Sequence, residues 1–166
     1  MLTDTNLTSR AQGQLDFSNQ CYRHLLVNME QGFCLIEIIY DEAGQAVDYR
    51  FLEANRAFER HTGIRNAVGR TAFEAVPNLE AQWVKTYARV AQTGEAFAFE
   101  QGSLAMGRLF KVDAVGIGEA GSHRVALIFS DITDRRRTEL NLIKGEERLR
   151  IALEAASMAV WDWNFE

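Results

Sequence analysis

The chain has 166 residues, of which 47% are hydrophobic and 25% charged, and its net charge is −5. These values suit one globular domain with extensions, and the acidic balance argues against a nucleic-acid partner. No apolar run approaches the roughly 18 residues of a membrane span, MLTDTNLTSR lacks the basic-then-apolar order of a signal peptide, and Cys21 and Cys34 have no metal-ligand spacing, so free thiols in a reducing cytoplasm are expected.

Residues 1–16 are polar and aperiodic, and a flexible tail is expected there. The pattern then predicts an N-terminal helix over 17–31. Ser18 can cap it, Phe17 and Tyr22 sit where a hydrophobic staple would, and Gly32 can stop it. Tyr22, Leu25, Leu26 and Met29 fall at i, i+3, i+4 and i+7, which makes one apolar stripe.

FCLIEIIY (33–40) and AVDYRFLEA (46–54) flank the turn DEAG, a hairpin signal. The first of these strands is apolar on both faces. Cys34, Ile36, Ile38 and Tyr40 lie on one, and Phe33, Leu35 and Ile39 on the other, with only Glu37 polar. Such a strand wants cover on both faces, and the amphipathic helix before it is the candidate for the second cover.

Asn55 can cap a short helix, RAFERHT, closed by Gly63. Thr71 and Glu74 form a capping box for another, which stops before Pro77. Asn78 can cap a longer helix with Leu79, Trp83, Tyr87 and Val90 as its buried stripe, ended by Gly94. Three strands follow at 96–100, 108–115 and 124–132, joined by glycine-bearing loops. Hairpin linkage in both strand groups implies an α+β fold, a five-stranded antiparallel sheet with helices on one face. The letters of G-x-G-x-x-G occur at 116–121, but between hairpin strands with no helix after them, so they carry no phosphate site.

The last strand ends at Asp131-Ile132-Thr133 and a basic, helix-prone stretch begins at once. Asp131 or Thr133 can cap that helix, and Asp134 suits its positive end. The junction would clamp a strand to the first turn of an exiting helix, so that a shift in the sheet moves the helix. From Asp134 to 157 one linker helix is expected, with a weak heptad stripe of Leu142, Leu149 and Ala156 beside Leu153, and a bend near Gly145. AVWDWNFE alternates, with Trp161, Trp163 and Phe165 on one face, and reads as the opening of a strand.

GFCLIEIIY, FLEANRAFERHTG, GRTAFEAVP and SDITDRRRTE together resemble a PAS domain of bacterial sensor proteins, over about residues 28–138. GEERLRIALEAASMAVWDWNFE is similar to the linker and first strand of a second such domain. The resemblance implies strand order 2-1-5-4-3 and a pocket between sheet and helices. It implies a domain at 32–133, a signalling helix at 134–157 and a truncated second domain at 158–166. It further implies a sensory module of a longer cytoplasmic chain, foremost a histidine kinase of a two-component phosphorelay, with a cyclic-dinucleotide enzyme or a transcription regulator as alternatives. Asp131, Ile132 and Thr133 match the family's output motif.

Flavin-binding relatives carry a cysteine motif after the second strand, and RNAVGRTAF has no cysteine. Haem-binding relatives place a histidine on the long helix, and LEAQWVKTYARVAQT has none. No cofactor or metal is therefore expected. His24, His61 and His123 read as solvated surface residues, and Cys34 as a buried, inert thiol that could line the pocket. The expected lining is Phe58, Phe73, Val76, Tyr87, Phe97, Phe99, Phe110 and Val112, fit for a small apolar ligand, although the same side chains equally make an ordinary core. A homodimer is expected through Tyr22, Leu25, Leu26, Met29, Phe33, Leu35 and Ile39. No catalytic set has a signature here. A small cup-shaped α+β enzyme would want a His/Asp or Tyr/Asp pair pointing inwards, and the apolar stripes carry no histidine.

Overall fold

The computed structural model describes the backbone of residues 4–118 and 121–162, and the side chains of 13–118 and 121–156. The chain divides into two compact units, one up to Asp131 and one from Ile132 onward.

The first unit runs α1 (Asp4–Asn28), β1 (Gly32–Tyr40), β2 (Ala46–Ala54), α2 (Arg56–Thr62), α3 (Ala72–Ala75), α4 (Ala81–Thr93), β3 (Phe97–Ser103), β4 (Arg108–Ile117) and β5 (Arg124–Asp131). All strand pairs are antiparallel and the order is β2-β1-β5-β4-β3, as expected. β1 and β5 form the central seam, with Cys34 opposite Leu127 and Ile36 opposite Val125. The period of two along each strand sends these residues to one face, where α2, α3 and α4 cover them. Gly32 opens β1 against the ring of Phe129. A Cβ at Gly32 would stand 2.6 Å from that ring, so any other residue would have to push the ring aside.

The caps explain why the short helices form. Asn55 accepts from Phe58 N–H, and Gly63 takes the left-handed φ of 77° that closes α2. The Thr71–Glu74 capping box is formed in both directions.

Three expectations need correction. The stretch read as a flexible tail is helical from Asp4, which leaves Ser18 in mid-helix rather than at a cap. Periodicity misses this turn-rich start because it carries no apolar stripe. α1 also stops at Asn28, and Gly32 belongs to β1. The N-cap of α4 is Glu80, not Asn78.

In the second unit α5 spans Thr133–Asp162 as one helix. Residues 158–162, expected to open a strand, therefore continue the helix, and Trp163 and Phe165 lie outside the described residues. Intrahelical pairs run along it, Arg135 with Glu139 at 3.0 Å and Arg150 with Glu147 and Glu154 at 2.7 and 2.6 Å. Among the described residues no helix is long and apolar enough to cross a membrane.

Candidate functional site

Between the sheet and α2–α4 lies a cavity of about 50 Å³. That is room for a few waters, at about 10–15 Å³ each, and well below the roughly 150 Å³ that admits benzene. β1, β2, β4 and β5 supply Cys34, Tyr49, Phe51, Phe110, Val112, Leu127 and Phe129 to its wall. The helices and loops supply Phe58, Thr62, Ile64, Ala72, Val76, Leu79, Trp83, Tyr87 and Met106. No carboxylate, ammonium, guanidinium or imidazole group is among them.

Its polar groups are held neutral. Burial pushes the Cys34 thiol up and does the same to the phenols of Tyr49 and Tyr87; Cys34 and Asp48 add to it at Tyr49, and Tyr49 and Cys34 add to it at Tyr87. The two tyrosine rings meet edge to face at 5.5 Å. Tyr49 and Tyr87 bring phenol groups to an otherwise largely apolar wall, and a phenol can donate to or accept from a water or a ligand oxygen.

Of the lining residues expected from sequence, Phe58, Val76, Tyr87, Phe110 and Val112 face the cavity. Phe73, Phe97 and Phe99 do not. Phe73 packs at the margin of the core, and Phe99 stands against Trp83 and Tyr87 on their far side. Phe97 is on edge strand β3, 38% exposed, stacked on Phe99 and covered by the Arg89 guanidinium at 4.2 Å. Tyr49, Phe51, Leu127 and Phe129 escape the sequence reading, although each obeys the period of two of its own strand. Ile64 and Met106 come from loops and Thr62 ends α2, and none of the three leaves a local signal.

One carboxylate holds the cavity's rim. Glu80 caps no helix turn with its side chain. Its Oε1 accepts from the backbone of Leu104 and Ala105, and its Oε2 from Ser103 Oγ at 3.0 Å and Trp83 Nε1 at 3.2 Å. Partial burial works against the charge, but these donors win and hold the carboxyl below its usual range. The β3–β4 turn that carries Met106 is thus tied to the start of α4.

A second polar cluster lies where β5 ends. Arg108 Nη1 meets Asp131 Oδ2 at 3.1 Å, and the same nitrogen donates to the carbonyls of Arg60 and His61. His61 is not a solvated surface residue as expected. It is half-buried, its Nε2 lies 2.9 Å from the carbonyl of Glu30, and its Nδ1 accepts the backbone N–H of Asp131 at 3.2 Å. At the other end of α2, the N-cap Asn55 is buried. Its Oδ1 takes the N–H groups of Phe33 and Phe58, and its Nδ2 donates to the carbonyls of Leu26 and Gln31.

The expected dimer residues are split. Leu26 and Phe33 are buried within the first unit, and Met29, Leu35 and Ile39 are half-buried. Leu25 is 66% exposed and Tyr22 is exposed. The Tyr22 ring stands on Phe33, so α1 reaches the sheet face opposite the cavity, and its hydroxyl donates to Glu53 at 3.0 Å.

The PAS domain family matches residues 20–93. Among solved structures, the PAS domain of an HTR-like protein from Haloarcula marismortui aligns at TM-score 0.51 and 19% identity, over 75% of this chain and 99% of that one. An RNA-binding light-oxygen-voltage receptor aligns at TM-score 0.52 and 13% identity, over 80% of this chain. The chain spans 38% of that receptor's length. At these identities the likeness concerns the fold. No curated protein matches the chain.

Proposed function

Taking as premise that the chain contains a PAS domain, we propose that it is the sensory module of a larger cytoplasmic signalling protein and that its cavity receives the signal. The observation that carries this reading is a shared strand. Leu127 and Phe129 line the cavity, and β5 ends two residues later at Asp131, with α5 starting at Thr133. A ligand that displaces those rings acts on the strand that leads out of the domain. Asp131, Ile132 and Thr133 are the output junction in this reading, and a sensor histidine kinase is the foremost output. A cyclic-dinucleotide enzyme or a transcription regulator would use the same junction.

The lining selects the ligand class. A charged molecule would enter a site with no counter-charge, at a cost of several kcal/mol or more. A small uncharged molecule that is mostly apolar and offers one oxygen to Tyr49 and Tyr87 fits instead. Anything larger than a few heavy atoms must move Met106, whose flexible thioether suits a rim. The cup-enzyme alternative would have to work with Tyr49, Tyr87 and Cys34, all held neutral, and nothing in the lining supplies a base.

Titration with acetone and phenol as uncharged probes, and benzoate as a charged one, tests this by methyl and amide NMR. The uncharged probes should shift the Met106 methyl and also the Asp131 amide, and benzoate should shift neither. A response to benzoate alone, or to no probe, overturns the ligand class. A Met106 response without one at Asp131 overturns the coupling.

The exposed stripe of α1 makes a homodimer contact in the same reading. Leu25→Asp should lower the sedimenting mass from dimer to monomer. An unchanged mass overturns that assignment.

A further inference from the structure

The bonds of His61 fix its protonation state. A backbone N–H can only donate, so Nδ1, which faces the N–H of Asp131, carries a lone pair. The ring is then neutral with its proton on Nε2, and that proton points at the carbonyl of Glu30, an acceptor. One side chain at the end of α2 thereby ties the connection that leads into β1 to the last residue of β5. These are the two places where the chain passes into and out of the sheet.

We propose that His61 is a pH-operated clasp between the α1–β1 connection and the end of β5, closed when the imidazole is neutral and opened at Asp131 when Nδ1 takes a proton. Protonation puts an N–H against an N–H at 3.2 Å, and the bond to Asp131 is lost. The bond from Nε2 to Glu30 survives, because Nε2 is a donor in both states. The clasp therefore opens on one side only. Asn55 makes that asymmetry stricter. It does not titrate, and it keeps the α1–β1 connection attached through Leu26 and Gln31.

The charged and polar groups around the ring come from every element against it. β4 contributes Arg108, which donates to the carbonyl of His61 itself. β5 contributes the Asp131 carboxylate, half-screened from solvent and paired with Arg108. From the α1–β1 connection it is the Glu30 carbonyl that meets the ring, and on α2 the neighbouring Glu59 carboxylate is turned to the Asn66 N–H while the Arg60 carbonyl accepts from Arg108. A charged imidazole adds a second cation beside Arg108, and the two must share the one carboxylate of Asp131. The end of β5 is thus perturbed through its N–H and through its side chain together. Ligand in the cavity and proton at His61 would act on the same strand from different sides.

Histidine changes charge between about pH 5 and 8, so the test spans that range. In the intact chain at about pH 7.5, imidazole 15N shifts should show Nε2 protonated and Nδ1 bare. The opposite tautomer overturns the proposal at once. On acidification to about pH 5.5, hydrogen-exchange protection of the Asp131 amide, corrected for intrinsic rate, should fall by about two- to tenfold, the size of one hydrogen bond. His61→Asn presents an oxygen in place of Nδ1 and cannot take up the proton. Its Asp131 amide should keep the same protection at both pH values. A wild-type amide that does not respond, or a variant that responds equally, overturns the clasp.

Discussion

The two sides of the sheet unit are held together by opposite means. Under α2–α4 the contacts are between rings. Phe58 meets Phe51 at 5.2 Å and Phe129 at 5.7 Å, and Trp83 meets Phe110 at 6.1 Å. Around the start of β1 and the end of β5 the contacts are polar and cross between elements, Asn55 at the N-cap of α2, His61 from α2, Arg108 from β4 and Asp131 from β5. Packing is non-directional and sets whether the unit folds. Hydrogen bonds are directional and modest in net energy, and they set where the chain leaves. Stability and the proposed signal routing should therefore be separable by mutation.

The largest effect should come from the packed side. Phe58→Ala removes a side chain that is 2% exposed and adjoins the cavity. It should cost about 3–5 kcal/mol, measurable by urea unfolding. A loss below about 1 kcal/mol would mean that the inner layer is not the seat of stability.

Asn55→Ala falls between the two sides. It removes the cap of α2 and leaves the buried N–H of Phe33 without its acceptor. A cost of about 2–3 kcal/mol is expected, with loosening of the α1–β1 connection seen as faster exchange at Phe33. If exchange there is unchanged, the connection is held by something other than Asn55.

Glu80 gives a pH signature. Its carboxyl lies below its usual range in the folded state, so it stabilises the fold above the ordinary carboxylate range and stops doing so as pH falls through its lowered value. Glu80→Gln should cost about 1 kcal/mol at neutral pH, discounted for partial exposure, and flatten the decline in stability below about pH 4. A variant with the wild-type acid limb would place that limb elsewhere.

The smallest change in stability belongs to Asp131→Ala. Arg108 and Asp131 are 33% and 22% exposed, and such pairs contribute under about 1 kcal/mol. The melting curve should barely move, while output in a full-length chain changes. A collapsed melting curve would erase the distinction between the two sides.

The same division explains what could be read from the chain beforehand. β2 and α2 match their expected limits, because hairpin alternation and an Asn-to-Gly frame are local signals. The inner layer is also local in origin, since each strand states its own period of two. Phe97 misleads because alternation says which face a residue takes and not whether its strand is at the sheet's edge. Glu80 and His61 could not be found that way. The partners of Glu80 include Ser103, Leu104 and Ala105, and those of His61 are Glu30 and Asp131. Both depend on segments far apart in sequence being brought together by the whole sheet. α1 fails for a simpler reason. Its first turns are helical without an apolar stripe, and a search for stripes passes over them.

The central seam has a consequence for how the protein is made. β1 is bonded to β5, the last strand of this sheet to be synthesised, and not only to its neighbour β2. A ribosome that has released β1 through β4 has exposed an unpaired edge of β1 and one of β4, both rich in β-branched and aromatic residues. Nothing can close that gap until residues 124–131 clear the exit tunnel. Contacts between such distant segments also form slowly, because the intervening chain must be ordered first. A stalled or truncated product should accordingly be prone to aggregation, and a chaperone that binds extended apolar strands would find its target in this window of translation.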